Sequence, residues 1–270
     1  MNDVGLLVCP DCRGPLAAAS NALACGSCPA RWPIRDGMPS FVEDQELGGV
    51  ESMMHFIYDW FAPLHDPVVD YLLPVFQGTS VVETREGYIR RVELDRLAAE
   101  TNGRPARILD IGVGSGSDLP YLEKHLPPEV PVEIWGLDFS TGMLALCRKR
   151  LASHPGRPMR IVHGDAHALP FADATFDRVL HVGGIAAYRA PARALAEMAR
   201  VARPGTPIVV VDEQLDANAN VGWLRNLAFR AVTFYDPTPH APRECVPANA
   251  YDVLIEQVSP FYYCLRFRSS

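Results

Sequence analysis

Four cysteines, three glycines and three aspartates are the residues in this sequence whose types and spacing can do chemistry. Residues 107 to 117 read RILDIGVGSGS, an apolar run that ends at Asp110 and opens into Gly112, Gly114 and Gly116. Glycine has no Cβ, so the main chain there can approach a ribose and an amino acid moiety closely, and free amides at a helix start face that ligand. Asp138 closes a second apolar run (Val132, Ile134, Leu137) 22 residues beyond Gly116, where an acid grips ribose hydroxyls in doubly wound sheets. Asp165, with Ala166 and Leu169, follows a third run at 159 to 162 and can reach an adenine amino group from there. Folds that hold a nicotinamide have no need of that third acid, so the pattern favours S-adenosylmethionine over NAD.

Cys9, Cys12, Cys25 and Cys28 form C-x-x-C, twelve residues, then C-x-x-C. Each pair presents two thiolates to one tetrahedral ion, at the spacing of a zinc ribbon. A segment of about forty residues has too little core to fold alone without such a staple. Two disulfides are the alternative. No signal peptide precedes the first pair, and Cys147, Cys245 and Cys264 fit no pairing pattern, so a reducing cytoplasm is the expected location.

The elements that must position these residues can be read from the apolar pattern. Strand-like runs at 107 to 112, 132 to 138, 159 to 163, 176 to 182 and 207 to 213 alternate with helical stretches, the order of an α/β fold. Two last runs, 253 to 258 and 261 to 267, are separated only by Ser259 and Pro260, which predicts an antiparallel closing hairpin.

Taken in order, ILDIGVGSG, GLDFS, GDAHALPF, FDRVLHVGG and VARPGTPIVVVDE resemble the successive motifs of class I S-adenosylmethionine-dependent methyltransferases over roughly residues 105 to 212. The resemblance implies a Rossmann-like, doubly wound, mostly parallel seven-stranded sheet with one antiparallel strand near its end. The expected division is a zinc ribbon at 1–43, a helical cap and linker at 50–104, and a methyltransferase domain at 105–270 with an inserted lid at about 216–250. Glu43 to Gly49 is polar enough to be the linker. Candidate cofactor contacts are Asp110, Gly112, Gly114, Gly116, Asp138, Phe139, Ser140, Met143, Asp165, Ala166 and His181, with S-adenosylmethionine as cofactor. Cys9, Cys12, Cys25 and Cys28 are the candidate ligands of a structural Zn²⁺.

CPDCRGPL and LACGSCPARWPIRDGMPSF resemble the small zinc-ribbon proteins that partner tRNA and protein methyltransferases. Similar ribbons are fused ahead of methyltransferases, including a group that methylates guanine in ribosomal RNA. YDWFAPLHD is similar to the opening helix of quinone-pathway C-methyltransferases, where an aromatic covers the cofactor, and by that likeness Tyr58 is the candidate lid residue. An aromatic stripe packing on the sheet explains the same residues. Arg85, Glu86, Gly87 and Tyr88 read either as a wall of the cofactor pocket or as an ordinary helix start.

His181 ends the fourth run, and strands of this kind deliver ligand contacts at their carboxyl ends. It is the candidate general base for a phenol, thiol or carbon acid, with a pocket wall as the alternative. His163 and His167 read as solvated loop positions. Asp212 and Glu213 follow the fifth run and are placed to reach the substrate mouth. Residues 218 to 235, with Trp223, Leu227, Phe229 and Phe234, read as an inserted helix, followed by a proline-rich loop containing His240.

Composition bounds the partner. The 270 residues carry a formal charge of −7, and the first fifty set Arg13, Arg31 and Arg35 against six acids, a poor phosphate reader. No apolar run approaches the length of a membrane span. The expected activity is methylation of an oxygen, nitrogen or carbon of a small molecule, with a nucleic-acid partner disfavoured, no membrane partner and a homodimer as the oligomer to consider. The alternatives are a ribosomal RNA guanine ring-nitrogen methyltransferase and a non-catalytic, cofactor-binding scaffold or activator.

Overall fold

The computed structural model describes residues 4–42, 74–75, 78–153, 156–218 and 222–270. Tyr58, the linker at 43–49 and the cap up to residue 73 lie outside the described residues.

The amino-terminal module is an antiparallel sheet of β1 (Leu16–Ala19), β2 (Ala22–Cys25), β3 (Arg31–Arg35) and β4 (Met38–Pro39) in that order. Asp36 and Gly37 connect β3 to β4 with φ of 50° and 78°. Two successive positive φ angles match the right-handed twist of a hairpin, and Asp-Gly is the pair that adopts them at least cost. Strand β3 alternates, burying Trp32 and Ile34 while Arg31 and Arg35 stay exposed.

The second sheet has seven strands: β5 (Ala106–Ile111), β6 (Val132–Asp138), β7 (Met159–His163), β8 (Arg178–Val182), β9 (Pro207–Glu213), β10 (Ala250–Ser259) and β11 (Tyr262–Ser269). Their spatial order is β10-β11-β9-β8-β5-β6-β7. The five strands from β5 to β9 run parallel, and β11 pairs antiparallel to both β9 and β10. The hairpin read from 253 to 267 is therefore present, with longer arms than its apolar runs suggested. Strand β8 begins two residues later than its run, because Phe176 instead bridges Ala202.

Helices α1 (Val81–Ile89), α2 (Leu97–Glu100), α3 (Leu119–His125), α4 (Thr141–Ser153), α5 (Pro191–Val201) and α6 (Trp223–Val232), with short 3-10 turns, accompany the two sheets. Ser80 and Glu83 form a reciprocal capping box at the start of α1. Pro191 opens α5 at the position where a missing amide costs nothing.

Strands β5 and β9 are buried on both faces, as expected for parallel strands covered by helices. One face packs Ile108, Leu180 and Val209 with residues of α1, α3 and α4. The other packs Leu109, Ile111, Val179 and Val210 with α5 and with Trp32, Ile34 and Phe41 of the ribbon. The ribbon and the large sheet thus share one core, where Trp32 lies 5.7 Å from Phe41 and Trp135 5.6 Å from Phe171. Burying aromatic or aliphatic side chains of this size contributes about 1.5–3 kcal/mol each.

Candidate cofactor site and metal clip

Strand β5 connects forward to β6 on one side and lies against β8 on the other. The strand order reverses there, which opens a crevice at the carboxyl ends of β5 and β8. Gly112, Gly114 and Gly116 leave β5 at that crevice with φ of 68°, 54° and 75°. A side chain at Gly116 would also meet the Cys147 sulfur at 3.0 Å. Glycine therefore answers both the backbone conformation and the close approach of α4.

Asp138 fixes the loop from the end of β6. Its Oδ2 accepts the Gly114 amide at 2.7 Å and its Oδ1 accepts the Ser140 amide at 2.8 Å. Ser140 caps α4, accepting the Met143 amide at 3.1 Å, and Met143 is buried beneath Gly114. The Phe139 carbonyl accepts a hydrogen bond from His163 Nε2 at 3.0 Å. Of the candidate cofactor contacts, Ser140, Phe139 and Met143 thus hold the loop's own geometry.

Asp110 is buried, and its Oδ1 has no hydrogen-bond partner among the described residues. Burial, reinforced by the negative charges of Asp118 and Asp138, pushes its carboxyl well above the usual range. An orphaned buried carboxyl oxygen is costly, and it sits where a cationic ligand group would relieve it. The glycine cradle, the anchored Asp138 and this orphaned oxygen fit S-adenosylmethionine, whose amino acid end carries an ammonium.

Asp165 does not stand open toward an adenine. His167 donates to its Oδ1 from both its amide and Nδ1, at 2.8 and 2.6 Å, and Arg189 pairs with Oδ2. Burial acts to raise this acid, but the hydrogen bonds from His167 and Arg189 overcome it and hold the carboxyl well below the ordinary range. Ala166 is buried beside it. His163 and His167 were expected to be solvated and are instead buried, because each ring links two chain segments.

His181 is fully buried at the end of β8. Its Nδ1 lies 2.9 Å from the Ile111 carbonyl and so carries the proton, while Nε2 has no partner among the described residues. Burial pushes its pKa down, so the ring is a neutral imidazole with an unengaged lone pair. Tyr188 packs against both His181 and His167, at 5.4 and 5.0 Å between ring centroids.

The two acids ending β9 separate in role. Asp212 is fully buried and accepts the Gly184 and Ala186 amides at 3.0 and 2.9 Å. It ties down the loop that follows β8 and is not a mouth residue. Glu213 accepts from the Tyr235 hydroxyl at 2.9 Å. The inserted helix is α6, shorter than 218 to 235, and among its aromatics only Phe229 is buried, 5.2 Å from Phe261. Trp223, Leu227 and Phe234 are exposed, so they do not cover the sheet.

Helix α1 supplies residues that sequence reasoning left between two readings. Arg85 and Tyr88 are buried against the segment after the glycine loop. Arg85 Nη1 donates to the Ser117 carbonyl at 2.7 Å, and the Tyr88 hydroxyl donates to Asp118 Oδ1 at 2.6 Å. The Ser80 capping box was the available signal: it fixes the helix start, and residues three apart then share a face.

At the other end of the chain, the sulfurs of Cys9, Cys12, Cys25 and Cys28 all lie within 4.8 Å of one another. Cys9 and Cys28 sulfurs are 3.7 Å apart and those of Cys12 and Cys25 are 3.4 Å apart, far beyond a disulfide bond of about 2.05 Å. A zinc–sulfur distance of about 2.3 Å in a tetrahedron sets sulfur–sulfur edges near 3.8 Å. The Gly14 and Ser27 amides point at the Cys12 and Cys25 sulfurs at 3.4 and 3.3 Å, which stabilises thiolates. The donor set fits Zn²⁺.

Comparison with known proteins agrees with this geometry. Residues 108–205 match the family model described as Methyltransferase domain, and residues 5–37 match the one described as Trm112p-like protein. A phosphatidylethanolamine N-methyltransferase of Cereibacter sphaeroides is 38% identical over 118 residues, which are 43% of this chain and 55% of that protein. A demethylmenaquinone methyltransferase of Renibacterium salmoninarum is 36% identical over 158 residues, 58% of this chain and 56% of that protein. The chain spans little more than half the length of these relatives. Among solved structures, a Haemonchus contortus phosphoethanolamine N-methyltransferase 2 in complex with S-adenosyl-L-methionine superposes with a TM-score of 0.55 at 12% identity, covering 86% of this chain and 61% of that one. That likeness is one of fold.

Proposed function

We propose, for a chain that joins a Trm112p-like zinc ribbon to an S-adenosylmethionine-dependent methyltransferase domain, that it methylates an oxygen, nitrogen or carbon of a small-molecule acceptor. The observation that carries the reading is the crevice at β5 and β8, where the positive-φ glycine loop, the anchored Asp138 and the orphaned Asp110 oxygen converge. Similarity to methyltransferases named for a quinone and for phospholipid headgroups supports a small acceptor. The acidic balance of the chain supports it against a nucleic acid.

S-adenosylmethionine supplies an electrophilic methyl on a sulfonium. Asp138 and the glycine loop orient the nucleoside and amino acid ends, so that displacement is helped chiefly by proximity in a water-poor crevice. His181 Nε2, which no described residue engages, is assigned the role of proton acceptor, and its neutral state suits it to take a proton from an acidic acceptor group. The zinc is assigned a structural role, holding the ribbon whose Trp32 and Phe41 enter the shared core.

Radiolabelled S-adenosylmethionine incubated with the zinc-loaded protein and either cell metabolites or stripped RNA tests this. Label in the small-molecule fraction is expected. Label confined to RNA would replace the reading with ribosomal RNA methylation, which the ribbon's family resemblance favours. No S-adenosylhomocysteine from either fraction would leave a cofactor-binding scaffold.

A further inference from the structure

We infer that helix α6 is an interfacial anchor, which lays its outer face on an anionic lipid surface. The inference stands apart from the cofactor and acceptor readings, because neither uses these residues. Four of the eight large apolar side chains that stand exposed among the described residues lie between positions 223 and 234. Trp223 is 75% exposed, Leu224 55%, Leu227 59% and Phe234 55%. Residues three and four apart are neighbours on a helix surface, so Trp223 and Leu224 both adjoin Leu227. Ala231 continues the line, and Phe234 follows just past the last turn. The stripe presents roughly 500 Å², as large as the largest apolar patch of an ordinary monomer, which is often a contact site.

The inner face of α6 is already satisfied. Phe229 is buried against Phe261, the buried Thr233 hydroxyl donates to the Phe229 carbonyl at 3.0 Å, and the Tyr235 hydroxyl donates to Glu213. Glu213 ends β9, which runs parallel to β8. These contacts therefore hold the helix at the end of the sheet where the crevice opens. None of them involves the outer stripe, so the fold gives no reason for a tryptophan and two leucines to face water there.

Charge and area select the occupant. Residues 217 to 235 contain no acid and carry Arg225 and Arg230, in a chain whose formal charge is −7. Asp216 and Asp236, which bracket the stretch, turn back to accept the Asn218 and Thr238 amides at 2.9 Å each. Arg225 reaches toward Gly78, whereas Arg230 is exposed three residues beyond Leu227 and makes no ion pair among the described residues. An arginine at the edge of an apolar stripe lays its stem on hydrocarbon and lifts its guanidinium to the headgroup phosphates. A second copy of this chain fits less well. Two such stripes pressed together would bury about 1,000 Å², short of the roughly 1,200–2,000 Å² of stable interfaces. A two-fold axis would also bring both copies of Arg230 to one contact, with no acid from either helix to offset them. An anionic bilayer supplies hydrocarbon for the stripe and phosphate for the arginine. No described helix is long and apolar enough to cross a membrane, but a helix lying in the interface plane needs no spanning length. The expectation of no membrane partner is thereby narrowed to spanning segments.

Co-sedimentation of the full-length, zinc-loaded protein with vesicles tests the inference, using phosphatidylcholine alone against phosphatidylcholine mixed with about one-third phosphatidylglycerol. The wild type is expected to bind the anionic vesicles about fivefold or more tightly than the neutral ones, and less tightly as salt is added. Trp223→Gln combined with Leu227→Gln should weaken that binding by about 30-fold or more, and Arg230→Gln by about fivefold. Both variants should melt within about 2 °C of the wild type, since the substituted side chains are exposed. Brominated lipid should quench the tryptophan emission of the wild type and lose most of that effect in Trp223→Phe, a readout that needs no loss of binding. Wild-type protein that sediments with neither vesicle, or equally with both, overturns the inference. Binding that the glutamine variants leave unchanged also overturns it, by placing the contact elsewhere. A lipid-free dimer in analytical ultracentrifugation that Trp223→Gln with Leu227→Gln dissociates would give the stripe to a second copy and overturn it as well.

Discussion

Ser40 donates its hydroxyl proton to His163 Nδ1 at 2.8 Å, across 123 residues of chain. The direction follows from the other side of the ring, where Nε2 faces the Phe139 carbonyl at 3.0 Å and must carry the proton. The segment leaving the ribbon also lies alongside β7, with a parallel bridge from Ser40 to His163 and the Phe41 amide donating to the His163 carbonyl at 2.8 Å. Phe139 directly follows Asp138, so one imidazole ties the ribbon to the loop that carries Asp138.

Ser40→Ala should therefore destabilise the whole protein and not only the ribbon. It leaves a buried ring nitrogen without its donor, at a cost of about 1–2 kcal/mol, which in a chain of this size lowers the melting temperature by about 2–8 °C. Differential scanning calorimetry reads it. A melting temperature within a degree of wild type would mean that the contact carries no net stability.

Metal removal should reach further than the four cysteines. Elemental analysis is expected to give one zinc per chain. Chelation or Cys9→Ser should release Trp32 and Phe41 from the shared core, since the ribbon's short strands cannot bury them without the clip. Limited proteolysis is then expected to cut first between residues 5 and 42. Metal-free protein that resists protease as well as the loaded form would show that packing alone holds the ribbon.

Much of the frame could be read from the sequence, because five of its strands are largely apolar runs, two of them, β5 and β9, buried on both faces, and need no partner to be recognised. The positive-φ glycines and the paired C-x-x-C motifs were legible for a like reason: each states a local geometry in consecutive residues. What the sequence concealed depends on contacts between distant segments. His163 and His167 look like loop histidines until Ser40 and Tyr188 are brought to them. Asp212 and Glu213 are adjacent acids in the sequence, yet one secures the loop after β8 and the other meets Tyr235. Arg85 stayed between a pocket wall and a helix start because its partner carbonyl, that of Ser117, lies 32 residues on.

Acid sensitivity should trace in part to Asp177. Burial acts to raise this carboxyl, but hydrogen bonds from the Arg104 side chain and the Arg107 amide, with Arg203 nearby, overcome it and hold it below the ordinary range. A depressed folded-state pKa contributes stability that is complete above the unfolded value of about 3.9 and is lost as pH falls through the folded one. Asp177→Asn should thus be less stable than wild type at pH 7, by about 1–3 kcal/mol for weakened bonds to charged partners. The gap should close as urea melts are repeated from pH 5 down toward pH 3. A gap that stays constant across that window would assign the loss to geometry and not to charge.

Asp138 is expected to combine two duties that a pair of ligands can separate. Its oxygens hold the Gly114 and Ser140 amides, and at the end of β6 it is placed to accept the ribose hydroxyls. Asp138→Asn keeps one acceptor oxygen for the loop but loses the charge that strengthens a hydroxyl-to-carboxylate bond. The expected melting temperature is a few degrees lower, reflecting about 1 kcal/mol from the weakened amide contact. The expected affinity for S-adenosylhomocysteine is lower by about 10- to 100-fold, equivalent to one or two charge-assisted hydrogen bonds. A dideoxyribose analogue lacking both hydroxyls isolates the second duty, because wild type and variant should bind it equally weakly. If the variant weakens that analogue by the same factor as the natural ligand, Asp138 acts only by shaping the glycine loop, and the ribose contact belongs to another residue.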